Sequence, residues 1–183
     1  MTVRLATKND VPEILWTFAY ARDFMKKTDN PTQWGDDWPN EEIVLSDIEK
    51  KICYVITEEN VALGGEEILG VFTMIYGKDI DPTYEKIEPV DEGEYQADGK
   101  WLSDEPYGVI HRLAGNGKAK GVGTTAINFA LDNCNGHVRV DTHANNKVMQ
   151  KVFLKNGFKL TGLISVGFGE DPWRYAYEYV EEN

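Results

Sequence analysis

Tyr107-Gly-Val-Ile-His111-Arg-Leu-Ala-Gly115, followed at once by Asn-Gly117-Lys118-Ala-Lys120-Gly121-Val-Gly123-Thr124, is the stretch that decides the fold of this 183-residue chain. Its first part is apolar and β-prone, which reads as a strand from Tyr107 to Ala114. Gly115 to Gly123 is a glycine- and lysine-rich turn. Val122, Ala126, Ile127, Ala130 and Leu131 then fall on one face of a helix. Strand, glycine turn and helix in that order place backbone N–H groups and the positive end of a helix dipole where they can hold an anion. Glycine keeps side chains out of the way of the approaching oxygens. Lys118 and Lys120 add positive charge.

Downstream, Val138 to Thr142 is a further strand, and Asn145-Asn146 caps a helix with Val148, Met149, Val152 and Phe153 as its stripe. That helix stops at Asn156-Gly157, and strands around Phe158 to Val166 and Trp173 to Val180 close the chain. Upstream, Val3 to Leu5 is a strand. A helix follows with Asp10 near its start, Pro12 in its first turn and Val11, Ile14, Leu15 and Phe18 on one side. Asn30-Pro31 and Trp38-Pro39 mark a loop, Ile43, Leu45 and Ile48 a second short helix. Ile52 to Thr57 and Ile68 to Tyr76 are strands joined through Gly64-Gly65. Lys78 to Glu105 is an acidic insertion containing Tyr84, Tyr95 and Trp101, long for a loop without structure of its own. The pattern is that of an α/β protein with one domain over residues 1–183 and an insertion at about 78–105.

Nineteen Lys and Arg stand against 31 Asp and Glu, for a net charge of −12. Such a surface repels nucleic acid and anionic lipid and attracts cations such as amines; it also favours solubility. No apolar run is long enough to span a bilayer, and the N-terminus lacks the apolar region of a signal peptide. Cys53 and Cys134 are too few for a disulfide framework and read as buried thiols of a cytoplasmic protein.

Two familiar explanations of the glycine turn fail or strain. A P-loop needs Gly, four residues, then Gly-Lys-Ser/Thr, but Arg112 stands at the first glycine and Ala119 follows Lys118. Gly121-x-Gly123-x-x-Ala126 with Asp141 downstream fits a dinucleotide fingerprint in spacing, yet the polar run Gly115 to Lys120 separates it from the strand. Lys118-Ala-Lys-Gly121-Val-Gly123 instead resembles the acyl-CoA signature of the GNAT superfamily of N-acetyltransferases. The block Asp141-Thr-His-Ala-Asn-Asn146-Lys-Val-Met-Gln150, continuing to Leu154-Lys-Asn-Gly157-Phe158, is similar to the segment that follows it there. The chain departs from the pattern in having Lys118 at the first signature position and no proline in the turn.

The resemblance implies a central mixed, mostly antiparallel sheet with a splayed strand pair, flanked by helices. It implies acetyl-CoA as donor and a small-molecule amine or peptide as acceptor, with a homodimer as a common assembly. Leu113 and Ala114 would offer backbone groups to the pantetheine arm, and Lys118, Ala119, Lys120, Gly121, Val122, Gly123 and Thr124 would cradle the pyrophosphate. Asn146 would touch the cofactor arm, with simple helix capping as the alternative. The family's usual general acid, a tyrosine, falls on Phe153.

Acetyl transfer to an amine needs a base, and His111 on the central strand is the candidate. Asp141 would orient it or bind the substrate ammonium; a structural histidine and a turn aspartate are the plain alternatives. His143 lies close by in sequence. A zinc site built from His111, His143 and a cysteine lacks ligand spacing. Trp34, Trp38 and the insertion's aromatics either line an acceptor pocket or pack the core. The activity expected is direct acetyl transfer from acetyl-CoA, with a non-catalytic acyl-CoA-binding or regulatory domain as the rival.

Overall fold

A computed structural model describes residues 1–62, 64–167 and 171–181. In chain order the elements are β1 (Thr2–Leu5), α1 (Val11–Lys27), α2 (Glu41–Glu49), β2 (Cys53–Asn60), β3 (Gly65–Gly77), β4 (Val90–Glu92), β5 (Tyr95–Ala97) and β6 (Tyr107–Gly115). They continue with α3 (Val122–Asn133), β7 (His137–Thr142), α4 (Lys147–Lys155), β8 (Lys159–Ser165) and β9 (Trp173–Val180). The chain divides into two compact units, residues 1–74 with 110–129 and residues 75–109 with 130–183.

In the first unit the strands run in the order β1-β2-β3-β6. β1 pairs antiparallel with β2 from Thr2↔Thr57 to Leu5↔Tyr54, and β2 pairs antiparallel with β3. The apolar stripe of α1 buries Val11, Ile14, Phe18 and Ala21 against Val44 and Ile48 of α2 and Val55 and Val71 of the sheet. Asn40 starts α2 by accepting from the N–H of Ile43, which satisfies one orphan donor. Trp34 packs edge-on against Phe18 at 5.6 Å and touches Trp38 at 5.7 Å. These tryptophans therefore build the core between α1 and α2.

In the second unit the order is β6-β7-β9-β8. β7 pairs antiparallel with β9 along its whole length, and β8 with β9. The parallel ladder of β6 with β7 is confined to Gly108↔Val138 and Val109↔Arg139. β7 runs on beside β9, and β6 continues to Gly115.

The insertion is structured. A short 3-10 turn at Pro82–Tyr84 and the β4–β5 hairpin lie along β8. Glu88 and Leu163 exchange two backbone bonds of 2.8 Å, and the amides of Gly99 and Lys100 donate to the Thr161 carbonyl. The insertion thereby covers an edge strand whose unpaired backbone would otherwise invite association.

A buried ionic cluster pins it there. Fully buried Glu178 accepts from Arg139 Nε at 2.9 Å and from the amide of Leu102, and lies 2.7 Å from His137 Nε2. The Arg139 guanidinium sits 4.2 Å from the Trp101 ring and 3.8 Å from that of Tyr107, and donates to the Ser103 carbonyl. Removing one partner of a buried pair leaves an uncompensated charge. Glu178→Ala is therefore expected to destabilise by about 3–5 kcal/mol, lowering Tm by on the order of 10 °C. Adding Arg139→Met to that variant should restore part of the loss, measured by thermal melting with far-UV detection.

Candidate functional site

The strand–turn–helix junction is held by Asn116. It is buried, its amide donates to the Leu69 carbonyl, its side-chain Nδ2 donates to the Ile68 carbonyl at 2.7 Å, and its Oδ1 accepts from Lys118 N. Gly121 has φ +88°, and a Cβ added there would meet only Met1 Cε at 3.6 Å. It is the backbone angle, not crowding, that requires glycine. Thr125 N donating to Gly121 O at 2.9 Å closes the first turn of α3. The amides of Val122 and Gly123 lie ahead of that ladder, at the positive end of the 12-residue helix. The arrangement suits an anion.

The two lysines, alike in the sequence, differ in space. Lys118 Nζ is ion-paired with Glu67 and stands 5.3 Å over the Trp16 ring. Its charge is already met by a carboxylate. Lys120 is exposed. Trp16, Glu67, Asn116 and Lys118 line a cavity of about 290 Å³ between α1 and β3.

On β6, upstream of the turn, Arg112 carries φ +53°. A non-glycine residue in the left-handed region costs about 1–2 kcal/mol, so something must hold it. Arg112 Nη2 donates to Asp47 Oδ1 at 3.0 Å. Its Nε lies 3.0 Å from Oδ2, near enough for an ion pair but not aligned for a hydrogen bond. The Trp38 ring lies 5.9 Å from the guanidinium. Burial pushes the Asp47 carboxyl above its ordinary value, with Arg112 and His111 pulling the other way. His111 is half-buried, and its carbonyl accepts from Thr73 Oγ1 at 3.2 Å. Asp47 and Arg112 were not legible as site residues: on α2 an aspartate among Val44, Leu45 and Ile48 looks like the helix's wet face.

In the second unit, Asp141 ends β7 and accepts from the Tyr84 hydroxyl at 2.8 Å. Burial and this carboxylate push that hydroxyl well up. Tyr84 belongs to the insertion, and no sequence spacing links it to Asp141. Asn146 is buried and caps α4, its Oδ1 accepting from Met149 N at 3.1 Å.

His143 is also buried; its Nδ1 accepts from Asn145 N at 3.1 Å, which puts the proton of a neutral ring on Nε2, 2.9 Å from Asp171 Oδ2. With both nitrogens engaged, His143 shapes the loop before α4. Gln150 does the same by donating to the carbonyls of His143 and Ala144. It is Gln150 and Phe153 that α4 buries, while Val148, placed on its apolar stripe from sequence, is exposed.

Phe153 sits in an aromatic cluster with Phe158 at 5.9 Å and Tyr177 at 5.5 Å. The Tyr177 hydroxyl is buried without a partner among the described residues. Burial raises the Cys53 and Cys134 thiols, to about 12 and about 11, so neither serves as a nucleophile near neutrality. Among the described residues no three His, Cys, Asp or Glu side chains gather as a metal ion would require, and no helix is long and apolar enough to cross a membrane.

No family model and no curated protein matches the sequence. Solved structures do. A GNAT-family acetyltransferase from Streptococcus agalactiae 2603 superposes with a TM-score of 0.71 at 24% identity, over 100% of this chain and 96% of that one. A protein from Staphylococcus aureus Mu50 assigned as an acetyltransferase gives 0.62 at 27% identity, over 97% of each chain. The yncA protein of Salmonella typhimurium, solved with its cofactor acetyl-CoA, gives 0.59 at 14% identity over 100% and 95%.

The unequal lysines give a direct test by calorimetric titration with coenzyme A. Lys118→Met is expected to change affinity by less than about fivefold, because an exposed, already paired charge is worth at most about 1 kcal/mol. Gly121→Val should lower it at least tenfold, since a β-branched residue cannot hold φ +88° and the amides after it would turn away, on the order of 1–3 kcal/mol of strain and lost contacts. Equal losses from the two substitutions would contradict a backbone-led anion site.

Proposed function

We propose that this chain, built on the fold of the GNAT acetyltransferases, is a cytoplasmic enzyme that moves an acetyl group from acetyl-CoA to an amine. Residues 1–183 act in this reading as one acetyltransferase domain. The observation that carries it is the β6–turn–α3 junction: a glycine in the left-handed region, followed by helix amides with no partner in their own ladder's first turn at Val122 and Gly123. Lys118, Ala119, Lys120, Gly121, Val122, Gly123 and Thr124 cradle the pyrophosphate, backbone first and lysine second. Leu113 and Ala114 offer their peptide groups to the pantetheine arm. Asn146, the cap of α4, touches the arm in this reading.

In the reaction the acceptor nitrogen attacks the thioester carbonyl, the C–N bond forms, and the C–S bond breaks as the thiolate leaves. The ammonium loses its first proton to water, which frees the lone pair for attack; the second, lost from nitrogen as the C–N bond forms, passes to His111. Asp141, its orientation set by Tyr84, holds the acceptor's ammonium before attack. The thiolate takes its proton from water, since Phe153 has none to give. A cavity of about 390 Å³ lined by Glu88, Glu92, Asp171, Trp173 and Tyr175 in the second unit supports a cationic small-molecule or peptide acceptor, as does the net charge of −12. The rival reading, acyl-CoA binding without turnover, is favoured by the buried Phe153 alone.

A thiol-release assay with acetyl-CoA and a panel of amines separates the two. Release that depends on the amine is expected; CoA binding with no release for any amine selects the rival. His111→Ala should lower kcat/KM at pH 7 by about 10²–10⁴-fold and remove the ascending limb of the pH profile. With two acceptors of different amine pKa, only the limb belonging to the enzyme stays in place. An unchanged limb in His111→Ala would make His111 a structural residue.

A further inference from the structure

β6 contains an inserted residue. The Ala114 carbonyl faces β3, since a Cβ built on Gly70 would lie 2.8 Å from it, and the amide of Asn116 donates to the Leu69 carbonyl on the same strand. Upstream, the His111 carbonyl faces the same strand, accepting from Thr73 Oγ1. An unbroken strand turns every second residue toward its neighbour, so 111 should be followed by 113 and 115. It is followed by 114 and 116. The odd step falls at Arg112, the residue with φ +53°. This is a β-bulge, and its odd step turns the peptide groups of Leu113 away from the β3 side.

Most bulges of this kind place glycine or asparagine at the left-handed position. Here it is an arginine, and its side chain reaches Asp47, of which only 6% is exposed. Asp47 is itself fixed: it lies in α2, and its carbonyl accepts from the amide of Ile52, the residue before β2. The groups that face the pair are Arg112, His111 and Lys50 toward Asp47, with the Trp38 ring 5.9 Å from the guanidinium.

We infer that Asp47 is a positioning residue: through its ion pair it holds Arg112 left-handed, and so aims the Leu113 peptide at the acyl-CoA arm. Neither Asp47 nor Arg112 needs to touch the cofactor. The inference rests on the proposed cofactor role of Leu113 and Ala114, but the claim about the backbone stands apart from it.

The test is a double-mutant cycle in which glycine replaces the arginine. Glycine accepts φ +53° without help, so Arg112→Gly removes the pair and the need for it together. Asp47→Asn in the wild-type background should release the bulge and weaken coenzyme A binding on the order of tenfold, the scale of a broken buried contact. Arg112→Gly should stay within about threefold of wild type. Adding Asp47→Asn to Arg112→Gly should then change affinity by less than about twofold, and should raise the melting temperature by removing an unpaired buried carboxylate. Arg112→Lys, which keeps the charge but not the fork, should fall between.

The same factor from Asp47→Asn in both backgrounds would overturn the inference. So would an Arg112→Gly variant as weak as Asp47→Asn. In the ligand-free protein, the scalar coupling between the residue 112 amide and α protons reports φ directly. A left-handed value that persists in Asp47→Asn overturns the positioning role, whatever coenzyme A does. If instead the coupling moves in Asp47→Asn while wild-type protein fails to bind coenzyme A, the cofactor reading falls and the clamp on the bulge stands.

Discussion

A left-handed arginine in the middle of a β-strand is the constraint around which the first unit is arranged. Extended strands do not tolerate it without compensation, and the compensation reaches across the unit. Asp47 must sit on the inner side of α2, which requires α2 to pack through Val44 and Ile48, which in turn requires the Trp34 and Trp38 loop to fill the space beside α1. The aspartate is buried where a carboxylate is costly, and Arg112 makes it tolerable. The two unfavourable features, a strained backbone and a buried charge, offset each other. Such a pairing is retained where the strained geometry has a use.

The second unit solves a different problem with the same chemistry. β8 is an edge strand, and an insertion of acidic, turn-rich sequence would not cling to it by hydrophobic burial alone. Glu178 on β9 supplies the anchor by accepting from the Leu102 amide while also satisfying Arg139 and His137. The aromatic faces of Trp101 and Tyr107 enclose the guanidinium and keep water from competing for it. Tyr84, brought in by the same segment, then reaches Asp141. A segment that looks like a surface loop in the sequence thus sets the orientation of a carboxylate at the end of β7.

What the sequence made legible follows from how local each signal was. Alternation, helix periodicity and turn glycines are short-range, so β9, the α3 stripe and the glycine turn between β6 and α3 could be read from a few residues each. Gly121 was readable as a turn glycine, but as one that keeps side chains clear; its left-handed angle of φ +88° shows only in the structure. The Asp47–Arg112 and Tyr84–Asp141 contacts were not readable, because each joins residues more than 50 positions apart and no periodicity relates them. Lys118 shows the intermediate case. Its place in the turn was visible, but Glu67 lies on β3 and decides its charge environment from outside the motif. His143 is similar: the sequence shows a titratable ring, and only the bonds to both nitrogens show that it is occupied.

The overall charge remains to be reconciled with the reading of the turn. A chain at −12 repels the polyanion that the β6–α3 junction is proposed to hold, and one of the two lysines in the turn is already neutralised. Lysine charge therefore cannot be the main source of attraction. Oriented amides can be: the positive end of α3 is a fixed partial charge that does not titrate, and at contact distance it acts where salt screens least. Remote carboxylates, beyond a Debye length of about 8–10 Å, are largely screened from the bound phosphates yet still act together on a cationic amine approaching from solution. In the proposed reading, an acidic surface with one backbone-built anion site selects the two substrates by different ranges of the same force, short range for the cofactor and long range for the acceptor.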